Sequence, residues 1–428
     1  MPGKVQQRMH INLASPFIIE MWVIIFLVEF VKGSLLVALL PVYMENMLGL
    51  SVTVVGFAFA LQYLGDNLFR SPSGWIMERI GYRWTMTGAL LLILVALGMI
   101  IYAKDAVSLS AACLILGMGT SPLWPCVMTG VTELAGSTKS GSSGAAMGAV
   151  EMASLAGTGI GPITVNFLMD HGGQSYRMAF LFLLVCAAAV VAVALFLPKR
   201  IGHNAPHVVR DMSSEGDAVE RKPLGPLGSL KRTLQQVRTS LKVSRLLYPA
   251  LFLQAFAIGL MTPVVTLFAR TELHVTPNQF SLLLIAGGGI TVLTLIPAGR
   301  LVDRIGTTVF LNIGFLLAAF SLALFSQVRW LPLAFCAVAL VGVSYAFILP
   351  AWNAFLAKQV PKGERGTVWG LFLTLQGSGM VVGPVLSGKL WDTVGHGVPF
   401  LASAFVMLLL FVLHLLIVHR TKLKLNAN

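Results

Sequence analysis

The stretch Gly-Trp-Ile-Met-Glu-Arg-Ile-Gly at residues 74–81 returns as Gly-Arg-Leu-Val-Asp-Arg-Ile-Gly at residues 299–306, which is 225 positions later. Each copy directly follows a long apolar segment. Two further pairs repeat at nearly the same offset: Pro122-Leu123-Trp124 with Pro350-Ala351-Trp352, and Gly161-Pro162 with Gly383-Pro384. Three matched pairs at nearly one offset indicate that the chain is an internal duplication of two similar halves.

The apolar segments around these repeats are long enough to span a membrane. Hydrophobic residues make up 56% of the 428 residues and charged residues only 11%, whereas soluble domains carry about a quarter charged residues. A spanning helix needs about 20 apolar residues. The runs are continuous rather than alternating, which argues against a membrane barrel, and helices satisfy their own backbone in lipid. We predict spans at 17–43, 52–74, 84–103, 107–132, 142–169, 177–197, 246–269, 277–299, 307–327, 331–357, 365–390 and 397–419.

These spans predict an all-α membrane protein with twelve transmembrane helices in two pseudo-symmetric six-helix bundles. The bundles occupy residues 1–197 and 246–428, and a polar cytoplasmic linker at 198–245 joins them. The second part of the linker, Leu227 to Val243, has the pattern of an amphipathic surface helix. Equal helix counts give the halves the same orientation. This is the parallel-repeat plan of transporters, in which the substrate binds near the midplane between the halves.

The basic residues fix the orientation and argue against nucleic-acid binding. Of the 30 Lys and Arg residues, ten lie within 198–245, and most others fall on the same side of the predicted spans. The opposite loops hold little more than Lys104, Arg177, Arg270 and Arg329. This positive-inside pattern predicts a multi-pass protein of the cell membrane with cytoplasmic termini. The net charge of +13 is spread over many loops without interleaved aromatic residues, so a nucleic-acid partner is not expected.

The sequence does not indicate an enzyme, a cofactor or a metal site. The four cysteines lie in apolar spans without metal-ligand spacing. The eight histidines are assigned to the termini, the linker and outer loops, and no phosphate-binding loop or nucleophile motif appears. A receptor would need a sizeable soluble domain, and 198–245 is too short for one.

Four ionisable residues fall near the middle of predicted spans: Glu29, Lys32, Asp66 and Glu151. A charge at mid-bilayer costs about 2.5–3.5 kcal/mol on insertion scales, so each is a candidate site residue. Glu29 and Lys32 share a helix face and can pair, while Glu20 and Arg70 lie nearer span ends and could snorkel. We hypothesise that Glu29 or Asp66 carries a proton and that Lys32 anchors an anionic or polyhydroxyl group. The alternatives are a static salt bridge and, for Glu151, a polar gap between helices.

Four further residues are candidates for lining a substrate cavity. Trp124 and Trp352 follow proline-bearing stretches in equivalent helices, and an indole can stack on a sugar ring or pack in a core. Asn353 and Gln376 are among the more polar residues of the second half. They could bind a substrate or join helices by hydrogen bonds.

The repeated stretch resembles the signature of the major facilitator superfamily. Its residues are Gly74, Glu78, Arg79, Gly81 and Arg83, with a degenerate copy that contains Asp303 and Arg304. The resemblance implies an acid–arginine network that opens when the two halves rock apart; the alternative is a solvated loop that only enforces topology. A second resemblance, to the Gly-Pro motif of proton-antiporting exporters, rests on Gly157, Gly161 and Pro162, although Ile163 and Thr164 stand where a glycine pair is usual.

Glu29-Phe30-Val31-Lys32-Gly33 in the first helix, Asp66 in the second and Ser121-Pro122-Leu123-Trp124 in the fourth give a closer resemblance. Within the superfamily, these stretches resemble the flippases that move the glycolipid anchor of lipoteichoic acid in Gram-positive bacteria. The resemblance places their acidic pair on Glu29 and Asp66, their tryptophan on Trp124, and their arginine on Lys32, while Ser154 stands where an aromatic residue is expected. It implies proton-coupled export or flipping of an amphipathic glycolipid by a monomer; the alternative is a proton-coupled multidrug or small-metabolite efflux pump. The expected partners are membrane lipids, the substrate and protons.

Overall fold

The computed structural model describes residues 16–137, 143–172, 175–199, 246–359 and 365–426. Nearly all of the predicted linker, including the amphipathic segment Leu227–Val243, lies outside the described residues. So do the first 15 residues, which contain part of the positive charge used to predict orientation.

The described residues are α-helical and contain no strand. Twelve helices are long and apolar enough to cross a membrane, so the predicted fold class is confirmed. We number them α1 (Pro16–Met47), α2 (Val52–Ile80), α3 (Tyr82–Tyr102), α4 (Ala106–Thr120 and Leu123–Ser137), α5 (Ser143–His171), α6 (Tyr176–Ala194), α7 (Leu247–Met261 and Val265–Thr271), α8 (Pro277–Ile305), α9 (Thr307–Gln327), α10 (Leu331–Gln359), α11 (Arg365–Thr393) and α12 (Val398–Asn426).

The repeated signature is helical rather than the loop that the sequence predicted. α2 continues to Ile80 and α8 continues to Ile305, six residues past each predicted end. The chain then reverses at one glycine, Gly81 with φ 86° or Gly306 with φ 106°, and the next helix begins at once. Only glycine adopts such backbone angles without steric cost, so a single residue replaces a longer loop.

The chain divides into two compact units. Among the described residues, the first unit contains 16–199 together with Val265–Leu282, and the second contains 246–264 and 283–426. The boundary within α7 falls where that helix is interrupted, between Met261 and Val265. The last part of α7 and the start of α8 therefore group with the first six helices.

In the first unit, α1 and α5 pack backbone to backbone. A Cβ atom built on Gly157 would lie 2.3 Å from the Phe26 carbonyl oxygen, and one on Gly161 would lie 2.3 Å from the Phe30 carbonyl oxygen. Real Cβ atoms do not approach that closely, so glycine is required at both positions for this contact. The glycines of the antiporter-like motif thus set the distance between α1 and α5.

The second unit repeats this contact between α7 and α11. A Cβ atom on Gly379 would lie 2.4 Å from the Phe252 carbonyl oxygen, and one on Gly383 would lie 2.7 Å from the backbone of Gly259. The internal duplication seen in the sequence is therefore also a duplication of helix packing, made with small residues as is usual between membrane helices.

Candidate substrate and proton site

The first pair of charges lies on α1. Lys32 Nζ donates to Glu29 Oε1 at 2.9 Å, as the spacing of three residues predicts. The Glu29 side chain keeps 5% of its surface exposed and Lys32 keeps 25%. Directly after this pair, at Ser34–Leu39, α1 changes from α-helical to π-helical turns. Such turns are rare and often mark functional sites.

The second pair lies on α2 and was missed by sequence reasoning. Arg70 donates through Nη2 to Asp66 Oδ2 at 2.7 Å, and their side chains are 26% and 20% exposed. Sequence reasoning placed Arg70 near a span end, free to snorkel. Because α2 extends to Ile80, Arg70 lies ten residues inside the helix and pairs with Asp66 instead. The i, i+4 spacing of the two residues was a signal that could have identified the pair.

The two pairs are linked electrostatically. Asp66 and Tyr63, both on α2, act electrostatically on the Lys32 ammonium group. Thr158 on α5 directs its hydroxyl to Glu29 Oε2 at 3.4 Å, a long hydrogen bond. Negative and positive groups therefore alternate from Glu29 through Lys32 and Asp66 to Arg70, within the first unit.

One face of α5 extends this network. Glu151 is exposed, and its carboxyl group lies within electrostatic range of Glu29. Thr158 lies seven residues later, or two helical turns, on the same face. The antiporter-like motif thus contributes both the packing glycines and the hydroxyl that approaches Glu29. Gly33 joins the contact from α1, since a Cβ atom there would lie 2.8 Å from the Thr158 carbonyl oxygen. Pro162 follows inside α5.

The tryptophan candidates have different surroundings. Trp124 is half-buried where α4 resumes after its interruption, and it packs against the apolar core of the first unit. Trp352 is 3% exposed and lies in the core of the second unit, with ring centroids 6.2 Å from Phe315 and 5.9 Å from Phe355. Asn353 beside it is exposed. The surroundings of Trp352 are those of a packing residue, and its lining role stays a prediction.

A buried polar pair in the second unit was also missed. His414 on α12 lies 2.8 Å from Asn312 on α9, between Nδ1 and Oδ1, and is 2% exposed. The prediction that the histidines lie in termini, linker and outer loops is wrong for His414, because α12 carries it inside a membrane span. Gln376 on α11 reaches Gln254 on α7 at 3.4 Å, a polar contact between two helices of this unit.

The signature residues lie at the end of α2 and the start of α3. Arg83 Nε donates to the Leu197 carbonyl oxygen at 2.6 Å, which ties α3 to the end of α6. The Arg79 guanidinium lies 3.8 Å from the centre of the Trp75 ring. Glu78 is exposed, as are Asp303 and Arg304 at the corresponding end of α8. Gly74 has room for a side chain, since a Cβ atom there would meet only Pro125, at 3.9 Å.

In the charge network each carboxylate neutralises a cation, so protonation of a carboxylate would change what its partner requires. A carboxylate that takes up a proton no longer neutralises its partner, and a cation left without a counter-charge in a low-dielectric site is strongly unfavourable. Lys32 or Arg70 would then require another acceptor, such as a phosphate or a sugar hydroxyl. Among the described residues, no group of three or more His, Cys, Asp or Glu side chains could hold a metal ion.

Comparison with known proteins agrees with this architecture. A model of the Major Facilitator Superfamily matches residues 21–243 and 247–428. The proton-coupled antiporter flippase LtaA of Staphylococcus aureus (strain USA300) is 24% identical over 414 residues, which cover 95% of this chain and 96% of LtaA. LtaA of Staphylococcus saprophyticus is 23% identical over 407 residues, with 94% of each chain covered. A crystal structure of the nucleoside transporter NupG superposes with a TM-score of 0.73 at 14% identity, covering 94% of this chain and 98% of that chain.

Proposed function

Because this chain belongs to the major facilitator superfamily, we propose that it is a proton-coupled exporter or flippase of an amphipathic lipid, and specifically of a glycolipid. The observation that carries the proposal is the membrane-embedded network of Glu29, Lys32, Asp66 and Arg70. Two acid–base pairs within one bundle are costly in lipid and are retained where they serve transport. The proposed activity is transport by alternating access, with no catalytic step.

In this mechanism Asp66 is the proton carrier. Its side chain is 20% exposed, whereas that of Glu29 is 5% exposed, so Asp66 is the carboxylate that water reaches more readily. Protonation of Asp66 releases Arg70 and removes a negative charge from the vicinity of Lys32. Both cations then bind the polar headgroup. Loss of the proton on the other side of the membrane restores the pairs and expels the headgroup.

The two halves suit the two parts of an amphipathic substrate. The described spans of α9, α10 up to Ala357, and α12 up to His419 contain no Asp, Glu, Lys or Arg. An apolar wall of this kind accommodates acyl chains, while the first unit supplies charge for a headgroup. The relatives named proton-coupled antiporter flippases support a lipid substrate over nearly the full length of the chain.

The proposed location is the cell membrane, with both termini in the cytoplasm. The distribution of Lys and Arg over alternate loops supports this orientation through the positive-inside rule. The signature at the ends of α2 and α8 then faces the cytoplasm, where the contact of Arg83 with the end of α6 can take part in gating.

An efflux pump for amphipathic drugs is the second candidate. Two sequence features favour it: Lys32 lacks the planar fork with which arginine grips an anionic or sugar headgroup, and Ser154 offers no aromatic surface for a sugar ring. A protein that offers both a charged network and apolar helices would also accept a lipophilic cation.

The test is a flipping assay with purified protein in proteoliposomes. Fluorescent diglucosyl-diacylglycerol is placed in the bilayer, and its transfer between leaflets is followed with and without an imposed pH gradient. Wild type is compared with Asp66→Asn and with Lys104→Gln, which changes an exposed charge outside the spans.

The proposal is supported if wild type and Lys104→Gln transfer the glycolipid in response to the pH gradient and Asp66→Asn does not. Gradient-driven transport of a cationic dye without lipid transfer would replace it with the efflux pump. Lipid transfer that does not respond to the gradient would contradict proton coupling.

A further inference from the structure

A small cavity lies in the first unit, away from the charge network and beside the ends of α1 and α5 that face away from the signature. Its volume is about 90 Å³, and residues of α1, α5, α6 and α7 line it. The volume exceeds the roughly 10–15 Å³ that a cavity needs to hold one water molecule. Its polar lining comes from Asn46, Asn166, Tyr176 and Arg270, and none of its eight lining residues is acidic.

Two donors at this cavity have no hydrogen-bond partner. Asn166 is 1% exposed, and its Nδ2 group is unpartnered, as is Arg270 Nε. The contact that links these residues, from Arg270 Nη2 to Asn166 Oδ1, is long at 3.5 Å. A buried donor without a partner costs about 1–3 kcal/mol. The unpartnered amide and guanidinium groups therefore point to an absent acceptor.

The charge and the donors of the cavity lining suit an anion. Asp170 and Tyr176 act electrostatically on Arg270, but Asp170 already accepts a hydrogen bond from Asn278. Arg270 lines the cavity, and its Nε donor has no partner. An oxyanion accepts hydrogen bonds from several donors at once, which suits a lining that contains an arginine and two asparagine amides.

We propose that this cavity binds a phosphate-type oxyanion, held by Arg270 and the Asn166 amide, with the Tyr176 hydroxyl as a further donor. Arginine suits this ligand because its planar fork matches the spacing of phosphate oxygens. The oxyanion comes either from free phosphate or from the phosphate of an anionic lipid headgroup. The site is separate from Asp66 and Lys32, and it stands whether or not the chain flips a glycolipid.

The test measures ligand-induced thermal stabilisation of the full-length protein in detergent. In one arm inorganic phosphate replaces chloride at constant ionic strength. In the other arm the micelles contain phosphatidylglycerol or, for comparison, phosphatidylcholine. Each arm uses wild type, Arg270→Gln and the matched control Arg177→Gln, which removes an exposed arginine near the same end of α6.

We expect inorganic phosphate to raise the Tm of wild type and Arg177→Gln, with an apparent affinity at least about tenfold weaker in Arg270→Gln. This result identifies a site for the free anion. The same dependence with phosphatidylglycerol alone identifies a lipid headgroup. No stabilisation in either arm, or equal stabilisation of wild type and Arg270→Gln, overturns the proposal and leaves the cavity to water.

A second variant covers the case in which Arg270→Gln does not fold. Asn166→Asp preserves the size of the side chain and places a carboxylate where the anion would bind. We expect it to abolish the stabilisation by phosphate or phosphatidylglycerol. Undiminished stabilisation of Asn166→Asp would overturn the site. Transport is not measured in these experiments, so their failure would not bear on the proposed flippase activity.

Discussion

The Asp66–Arg70 pair separates a transport role from a structural one, because the two roles predict different behaviour of the double variant. Asp66→Asn leaves Arg70 without a counter-charge, and Arg70→Gln does the same to Asp66. The double variant Asp66→Asn/Arg70→Gln restores neutrality: Asn has nearly the shape of Asp, and Gln keeps a shorter, uncharged polar side chain at position 70.

The expected energies follow from the geometry. Two unit charges 2.7 Å apart attract each other by about 6 kcal/mol at an effective dielectric constant of about 20. Desolvation offsets most of this for side chains that are only 20% and 26% exposed, which leaves a net coupling of roughly 2 kcal/mol. We expect each single variant to lose about 2 kcal/mol of folding stability, and the double variant to lose about 2 rather than the additive value of about 4 kcal/mol.

The assay combines denaturant unfolding in mixed micelles with gradient-driven transport in proteoliposomes. If Asp66 carries the proton, the double variant recovers stability relative to additivity but shows no gradient-driven transport. If the pair only stabilises α2, the transport rate of the double variant follows the fraction of the protein that is folded. Gradient-driven transport by the double variant at the wild-type rate would refute the proton role of Asp66.

Three further predictions concern packing, backbone and capping. Gly161→Val should lose about 1–3 kcal/mol of stability, because its Cβ atom would lie 2.3 Å from an α1 carbonyl oxygen. The control Gly159→Val has nothing within 4 Å of its Cβ atom and should fold normally, as measured by size-exclusion chromatography. Gly81→Ala should lower the free energy of unfolding by about 1–3 kcal/mol in an unfolding titration, because φ at Gly81 is 86°. The control Gly88→Ala places its methyl group in open space and should keep the wild-type stability. An equal loss in both variants would argue against backbone strain at Gly81. Asp105 begins α4, where hydrogen bonds from the backbone and side chain of Ser108 hold its pKa below the usual range. A lowered pKa means that the stabilisation is complete above the ordinary value of about 3.9 and is lost as pH falls through the folded value. The stability difference between wild type and Asp105→Ala should therefore be larger at pH 7 than at about pH 3, and a pH-independent difference would contradict this assignment.

The sequence alone determined the membrane environment, the number of spans and the duplication. Apolar runs of about 20 residues leave the backbone no alternative to helix in lipid, so composition and run length were sufficient. The i, i+3 spacing of Glu29 and Lys32 was also sufficient to predict their ion pair, because it depends on one helix only.

Only the tertiary structure decided which residues meet across helices. Four features depend on how the helices pack: the approach of Thr158 to Glu29, the pairing of His414 with Asn312, the burial of Trp352 and the grouping of Val265–Leu282 with the first unit. Hydropathy does not encode those contacts, since lipid-facing and core-facing positions of a membrane helix are equally apolar. The packing rests on close backbone contacts at a few glycines, and their partners become identifiable only when the helices are placed together.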